Sequence, residues 1–430
     1  MVSIGYIFDP KLIHRFLSTI RNQLLYAGLY TKLGIAPTQE VPMDVAHHPP
    51  AMSRIRELSR QLVLSELRSS QGLSRSQLAA RTGLSRGTVS AVVTELIQQG
   101  SVTDGDLLHG RGRPARALSL APSGEHVGAI DLGHTHVSVA VADIDGRIMT
   151  ERSQVIDVDA SATAAMDLAS ELLQECRRTA AVDSLAAIGA GIPGPVERQS
   201  GTVRSGTVLR HWTGIHPHAE LAKRFGSIPL NVENDAHLAA LGEHTFGVAR
   251  GMQNVLFVKV ASGIGAGTIL RGRLYRGTHG TAGEIGHVQV REDGVLCRCG
   301  GRGCLETVAS TKYALQALRE IHGPELTVDG VRELIEANDP GALRLAHDMG
   351  TAIGRVLAVV ASHLDPEIVV VSGPLVKDPG PLIDGVASAI LHRTQPYVGR
   401  RTDVVGSSLG DRIGVLGAVA VALRMAQAAR

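Results

Sequence analysis

Three of the chain's four cysteines fall in one short loop, Cys297-Arg-Cys299-Gly-Gly-Arg-Gly-Cys304, and Leu305-Glu306 follows at once. Upstream stands Gly283-Glu284-Ile285-Gly286-His287. Three thiolates and one imidazole complete the ligand set of a closed tetrahedral zinc site. The glycines between them let a short loop turn its sulfurs toward one point. The competing account is a cluster of buried or redox-active cysteines. A disulfide framework does not suit four cysteines in 430 residues, which is the usage of a cytosolic chain. Four protein ligands leave no open position for water, so the expected Zn2+ is structural. It would hold a loop whose flanks carry Glu284 and Glu306.

A hydrophobic content of 44% over 430 residues supports two or three domains with their own cores. Aromatics make up 3% while Gly numbers 49, so aliphatic strands and tight turns dominate and the class is α/β. No apolar run reaches the length of a membrane span. Asp9, Lys11, His14, Arg15 and Arg21 interrupt the apolar stretches near the start, which excludes the core of a signal peptide. The expected location is the cytoplasm, on the nucleoid when bound to DNA, with no membrane partner.

The net charge of +2 is unevenly spread. Residues 52–120 carry ten Arg and no Lys against five acidic side chains, whereas the chain beyond 120 is mildly acidic. A basic module on an acidic body points to a polyanionic partner at one end. Residues 1–51 differ from both and end in a His- and Pro-rich stretch. They are expected either to lie outside the fold, with Met52 as the true start, or to form a genuine extra segment.

Arg54 to Arg68 puts Ile55, Leu58, Leu62, Val63 and Leu67 on one helical face. Two short helices joined by a turn at Gly83 follow, with Ser74 and Ser85 as N-caps. Leu78, Ala79, Leu84, Val89, Val92 and Val93 pack them together. Ser85, Arg86, Thr88 and Ser90 then stand at the start of the second helix, where recognition side chains reach the major groove. Arg111 and Arg113, in Gly110-Arg-Gly-Arg-Pro114, suit a wing lying along phosphates or in a narrow minor groove. The module is expected to be a winged helix-turn-helix over 52–121.

From residue 126 strands alternate with helices. Strands are expected at 127–132, 136–143, 185–190, 230–233, 254–260 and 367–371, with helices near 161–180 and 414–428. Asp131-Leu-Gly133-His-Thr135 follows the first strand, where the carboxylate can face a metal and backbone N–H groups can face phosphates. Ser262-Gly263-Ile-Gly265 is a second glycine-rich turn. Asn234-Asp235 at a strand-to-helix corner offers an amide and a carboxylate for sugar hydroxyls, with Asp235 also placed as a general base. The alternative for Asp235 is a plain helix N-cap.

Together these motifs resemble the ROK family (repressors, open reading frames, kinases) over nearly all of residues 52–430. The resemblance rests on Gly283-Glu284-Ile-Gly286-His287 and Cys297-x-Cys299-Gly-Gly-x-Gly-Cys304-Leu-Glu306. It implies an actin-like, ribonuclease H-like sugar-kinase fold, with lobes at 122–246 and 247–400 and a segment at 401–430 returning to the first lobe. It also implies zinc on His287, Cys297, Cys299 and Cys304, and sugar contacts from Asn234, Asp235, Glu284, His287 and Glu306. His287 would then serve metal and sugar through different ring nitrogens.

Departures from the family's kinases bear on function. Their phosphate turn resembles Asp-x-Gly-Gly-Thr-Lys, whereas this chain has Asp131-Leu-Gly133-His134-Thr135-His136, and a histidine obstructs close approach of phosphates. Asp131, Gly133, Thr135, Gly263 and Gly265 are thus expected to form a degenerate nucleotide site. The expected function is a sugar-responsive transcriptional regulator, most simply a repressor of carbohydrate genes and not an enzyme. Its partners would be operator DNA, a monosaccharide or sugar phosphate, and a second copy in a homodimer or homotetramer. The alternative is an ATP-dependent sugar kinase with a DNA-binding head. There Asp235 would deprotonate the attacking hydroxyl, and Mg2+ would sit on the phosphates of ATP.

Overall fold

A computed structural model of the chain describes residues 56, 59–60, 62–64, 66–67, 72–108, 115–120, 124–203 and 209–428. The expected extension at 1–51 and the wing arginines Arg111 and Arg113 lie outside the described residues.

The helix-turn-helix forms as its caps dictate. Helix α1 (Arg75–Thr82) opens on a capping box in which Ser74 and Gln77 satisfy each other's backbone N–H groups. It ends at Gly83, whose φ of 70° is open to glycine at little cost. Helix α2 (Arg86–Gln98) is capped by Ser85, whose hydroxyl accepts from the Thr88 N–H. Leu78, Val89, Val93 and Leu96 are wholly buried, together with Leu118 of the β-ribbon that follows. That ribbon is β1 (Val102–Leu108) paired antiparallel with β2 (Ala115–Leu120). The described positions between 56 and 67 are helical, with Val63 and Leu67 buried. Leu62, expected on the same face, is 46% exposed instead. Its neighbour Val63 takes the inward position.

The body consists of two five-stranded sheets with the same plan. In the first, β3 (His126–Leu132), β4 (His136–Asp143) and β5 (Ile148–Val155) form an antiparallel meander. β6 (Ala187–Ile192) and β7 (Leu230–Asn234) then run parallel to β3, giving the order β5-β4-β3-β6-β7. In the second, β8 (Val255–Val260), β9 (Ile264–Leu270) and β10 (Arg273–Tyr275) repeat the meander. β11 (Ile368–Ser372) and β12 (Asp403–Gly406) add in parallel, giving β10-β9-β8-β11-β12. Strand β6 runs past the 190 expected as its end, because Gly191 is paired on both sides, to Asp131 and to Glu233.

Two helices fill the space between the sheets. Asp235–Phe246 and the C-terminal Ile413–Ala428 share one hydrophobic core with strands of both. Gly189 on β6 allows the C-terminal helix close approach, since a Cβ there would run into the Ala418 carbonyl. Outer helices cover the other faces. Ala162–Thr179 lies over the first sheet, and Thr311–His322, Val328–Glu336, Pro340–Leu364 and Pro381–Arg393 build a separate core over the second. The boundary expected at 400 shifts, because residues 403–406 still pair within the second sheet. Among the described residues, no helix is long and apolar enough to cross a membrane.

Candidate functional site

His287, Cys297, Cys299 and Cys304 converge, each offering one ligand atom, and all four atoms lie within 4.8 Å of one another. Cys297 Sγ is 3.6 Å from His287 Nδ1, and Cys299 Sγ is 3.7 Å from Cys304 Sγ. Tetrahedral zinc bonds of ~2.0–2.3 Å set ligand atoms roughly 3.5–3.8 Å apart. The donor set therefore fits a closed tetrahedral metal site. Local backbone makes the convergence possible: Gly303 has φ 62°, and its Cα lies against the Arg291 carbonyl with no room for a side chain.

The thiols are not equivalent. Burial, with the neighbouring sulfurs adding to it, pushes Cys304 up to about 12, and burial likewise raises Cys297. Burial also acts on Cys299, but the Gly301 N–H and the adjacent thiols outweigh it and lower that group. A bound cation favours the thiolate at all three.

Beside this cluster a cavity of about 670 Å³ opens between the lobes. Asn234, Asp235, Glu284, His287 and Glu306 all line it, as do Gly133, Thr135, Gly263 and Gly265 from the two glycine turns. Asp131 does not line it and is buried beneath.

The corner after β7 resolves which residue caps the helix. Asn234 Oδ1 accepts from the N–H groups of Ala236 and His237, so Asn234 is the cap. Asp235 sits one position inside, with Oδ1 accepting from the Ala236 N–H at 2.8 Å and Oδ2 from Lys259 Nζ at 2.9 Å. Burial acts to raise the Asp235 carboxyl, but the Lys259 ammonium prevails and holds it below the usual carboxylate range.

Glu306 accepts from Arg298 Nε at 3.1 Å and from the Ile264 N–H at 3.4 Å. Burial, then the negative charges of Asp235 and Glu306, push Glu284 to about 7. Its side chain keeps 41% exposure, and solvent tempers the effect. His287 turns Nδ1 toward the sulfurs and Nε2 toward Glu284, 3.8 Å from the carboxylate.

The first glycine turn is filled. His134 Nδ1 bonds to Asp159 at 2.7 Å, and His136 Nε2 bonds to Asp131 at 3.3 Å. The His136 ring lies so close over Gly133 that a Cβ there would collide with it. The sequence points to His134 as the obstruction at this turn and gives no role to His136, Asp159 or Lys259. Lys259 did leave a signal, as a lone charge in the apolar strand Val255-Leu-Phe-Val-Lys-Val260. Arg298 left another, standing between two of the clustered cysteines.

In the head, Ser85, Arg86 and Ser90 are exposed and Thr88 is half-buried. The hydroxyls of Ser85 and Thr88 lie 2.8 Å apart and are engaged with each other. Arg86 and Ser90 are thus the freer side chains at the start of this helix.

A winged helix-turn-helix ahead of a duplicated α/β body, with a cysteine cluster beside its cleft, defines a protein with a DNA-binding type of head on a sugar-kinase type of scaffold. The chain belongs to the ROK family, whose model matches residues 127–425, and a MarR family model matches residues 56–112. It is similar to the xylose repressor of Bacillus spizizenii, 27% identical over 380 residues that cover 87% of this chain and 96% of that protein. The crystal structure of a ROK family transcriptional regulator described as a homolog of the E. coli MLC protein superposes with a TM-score of 0.66. At 24% identity, over 86% of this chain and 96% of that one, it supports the fold. A ROK family glucokinase from Streptomyces griseus, solved with glucose and AMPPNP, gives 0.60 at 27% identity over 70% of this chain and 99% of that one.

Proposed function

We propose that the chain is a sugar-responsive transcriptional repressor of carbohydrate genes, with a zinc-stabilised sensing body and no catalytic turnover. The observation that carries this is the meeting of Asn234, Asp235, Glu284, His287 and Glu306 in one interlobe cavity, in a chain that also has a winged helix-turn-helix. Three carboxyls, an amide and an imidazole suit the many hydroxyls of a monosaccharide, which needs directional acceptors and donors in a water-excluding cleft.

Zinc on His287, Cys297, Cys299 and Cys304 would fix the loop that presents Glu284 and Glu306. The division into a head over 52–121 and two lobes beyond it gives the sugar a mechanical target. Ligand touching both lobes favours one lobe arrangement, and it shifts operator affinity by its differential affinity for the two arrangements. Two heads in a homodimer or homotetramer would read successive half-sites through Arg86, Thr88 and Ser90, with Ser85 capping, while Arg111 and Arg113 engage the backbone. Working in the cytoplasm, such a protein needs no membrane partner.

The relatives support this reading, since the xylose repressor is a named repressor aligned over most of both chains. The kinase alternative draws on Asp235, but that carboxylate is already tied to Lys259. The test is binding to a fragment from upstream of the protein's own gene, at fixed salt, titrated with monosaccharides and their phosphates. Saturable binding weakened several-fold by one sugar supports the proposal. ATP consumption that requires a sugar, and that Asp235→Asn abolishes, would replace it with the kinase.

A further inference from the structure

Phosphoryl transfer from ATP pairs the nucleotide with Mg2+, and the residues of this chain do not fit that pair. A divalent ion needs open carboxylate oxygens and retained waters. Here His136 takes one oxygen of Asp131, Asp159 is engaged by His134, and both oxygens of Asp235 hold hydrogen bonds. What stands beside Asp235 is an ammonium. Lys259 reaches from β8 in the second sheet to Asp235, which follows β7 of the first, and their side chains are 26% and 17% exposed. It also interacts electrostatically with Asp131 on β3. The Asp131 side chain is 7% exposed, and its Oδ1 has no hydrogen-bond partner among the described residues. A carboxylate buried in this way requires a nearby positive charge.

We infer that Lys259 is a tethered cation that takes the place of a dissociable divalent ion beside Asp235, so that effector binding needs neither added metal nor nucleotide. The inference rests on the reading of the cleft as a sugar site. Asp235, with both oxygens engaged, then acts as a fixed hydroxyl acceptor and not as a base. Lys259 is a positioning residue, acting on the sugar through Asp235. It also joins the two lobes by a charge pair at the cleft, where a ligand touching Asp235 is felt on both sides.

The experiment uses the full-length, zinc-loaded protein. Melting temperature and sugar affinity are measured with and without Mg2+, and with a non-hydrolysable ATP analogue, for wild type, Lys259→Arg and Lys259→Met. Wild type and Lys259→Arg should not respond to Mg2+ or to the analogue. Lys259→Met should bind sugar about tenfold or more weakly, as expected for an acceptor that has lost its charged partner, and Mg2+ should restore part of both affinity and melting temperature. A lysine with a merely structural role would not create that Mg2+ response.

The double variant Lys259→Met/Asp235→Asn removes the Asp235 charge that Lys259→Met leaves unpaired, and should respond to Mg2+ less than the single variant. Should the single variant not fold, the wild-type, Lys259→Arg and double-variant responses still decide the matter. Wild-type sugar affinity that rises several-fold with Mg2+ would overturn the inference, as would Lys259→Met binding like wild type with no Mg2+ response. If wild type binds no sugar of the panel, the sensor reading fails, while the Mg2+ melting shifts still decide the role of Lys259.

Discussion

His287 stands with Nε2 3.8 Å from the Glu284 carboxylate while its Nδ1 faces the Cys297 sulfur at 3.6 Å. One imidazole therefore touches both the cysteine cluster and the cavity. A cation on Nδ1 fixes the tautomer and orients the face that Nε2 presents. The cluster and the cleft cannot be altered independently at this residue.

Removing one ligand should remove both properties. Elemental analysis is expected to find one zinc per chain in wild type and none in Cys299→Ser. Sugar affinity should fall with it by at least about tenfold, in keeping with what the loss of groups that orient a metal site commonly costs. A variant that lacks metal yet binds sugar as wild type does would separate the two.

Acid should release the metal. Burial raises Cys297, and raises Cys304 to about 12, so both are protonated at neutral pH until a cation displaces the protons. Apparent zinc affinity is therefore expected to climb steeply from about pH 6 to about pH 8, as competition with a chelator would show. In the metal-free protein the sign is opposite. Thiols raised above their ordinary value of 9.0 favour the fold below that pH, and the contribution fades as pH climbs through their folded values.

Two carboxylates should matter for sugar and not for DNA. Asp235→Asn and Glu306→Gln each replace a charged acceptor, worth about 1.5–3 kcal/mol per hydrogen bond, which is roughly tenfold to a hundredfold in affinity. Calorimetric titration should show that loss, with sugar-free operator binding retained. Loss of operator binding in both variants would mean that these residues hold the fold and do not contact ligand.

The head divides its labour. Arg86→Ala is expected to cost about 1–3 kcal/mol on the operator and little on random DNA, as for a base-edge contact. Arg111→Ala and Arg113→Ala should weaken binding to all DNA, and each should make the log–log salt slope shallower by about 0.9 for every phosphate it no longer neutralises. Ser85→Ala should lower the head's stability by about 1 kcal/mol through its lost cap. Binding isotherms at several salt concentrations and a melting curve separate these effects.

The His287 and cysteine cluster was legible because three of its four members sit in one loop, where sequence proximity nearly guarantees spatial proximity. The helix-turn-helix was legible through Ser74, Gly83 and Ser85, since capping is local chemistry. The charge pairs of the cleft were not. Lys259 with Asp235 and His134 with Asp159 join residues far apart in the chain, brought together by sheet packing and not by any period in the sequence. The corner at 234–235 was ambiguous for another reason. Asn and Asp both cap well, and what decides is the extended backbone of Asn234, at φ −64° and ψ 146°. Leu62 shows the limit of a helical period, which specifies a face but not how far the neighbouring elements cover it.

The most direct measurement is a closed cycle on the full-length protein: operator affinity with and without saturating sugar, and sugar affinity with and without saturating operator. Reciprocal linkage requires the two ratios to be equal. The expected result is a matched several-fold weakening in both directions, lost together in Cys299→Ser. Operator affinity unmoved by a sugar that demonstrably fills the cleft would contradict the account.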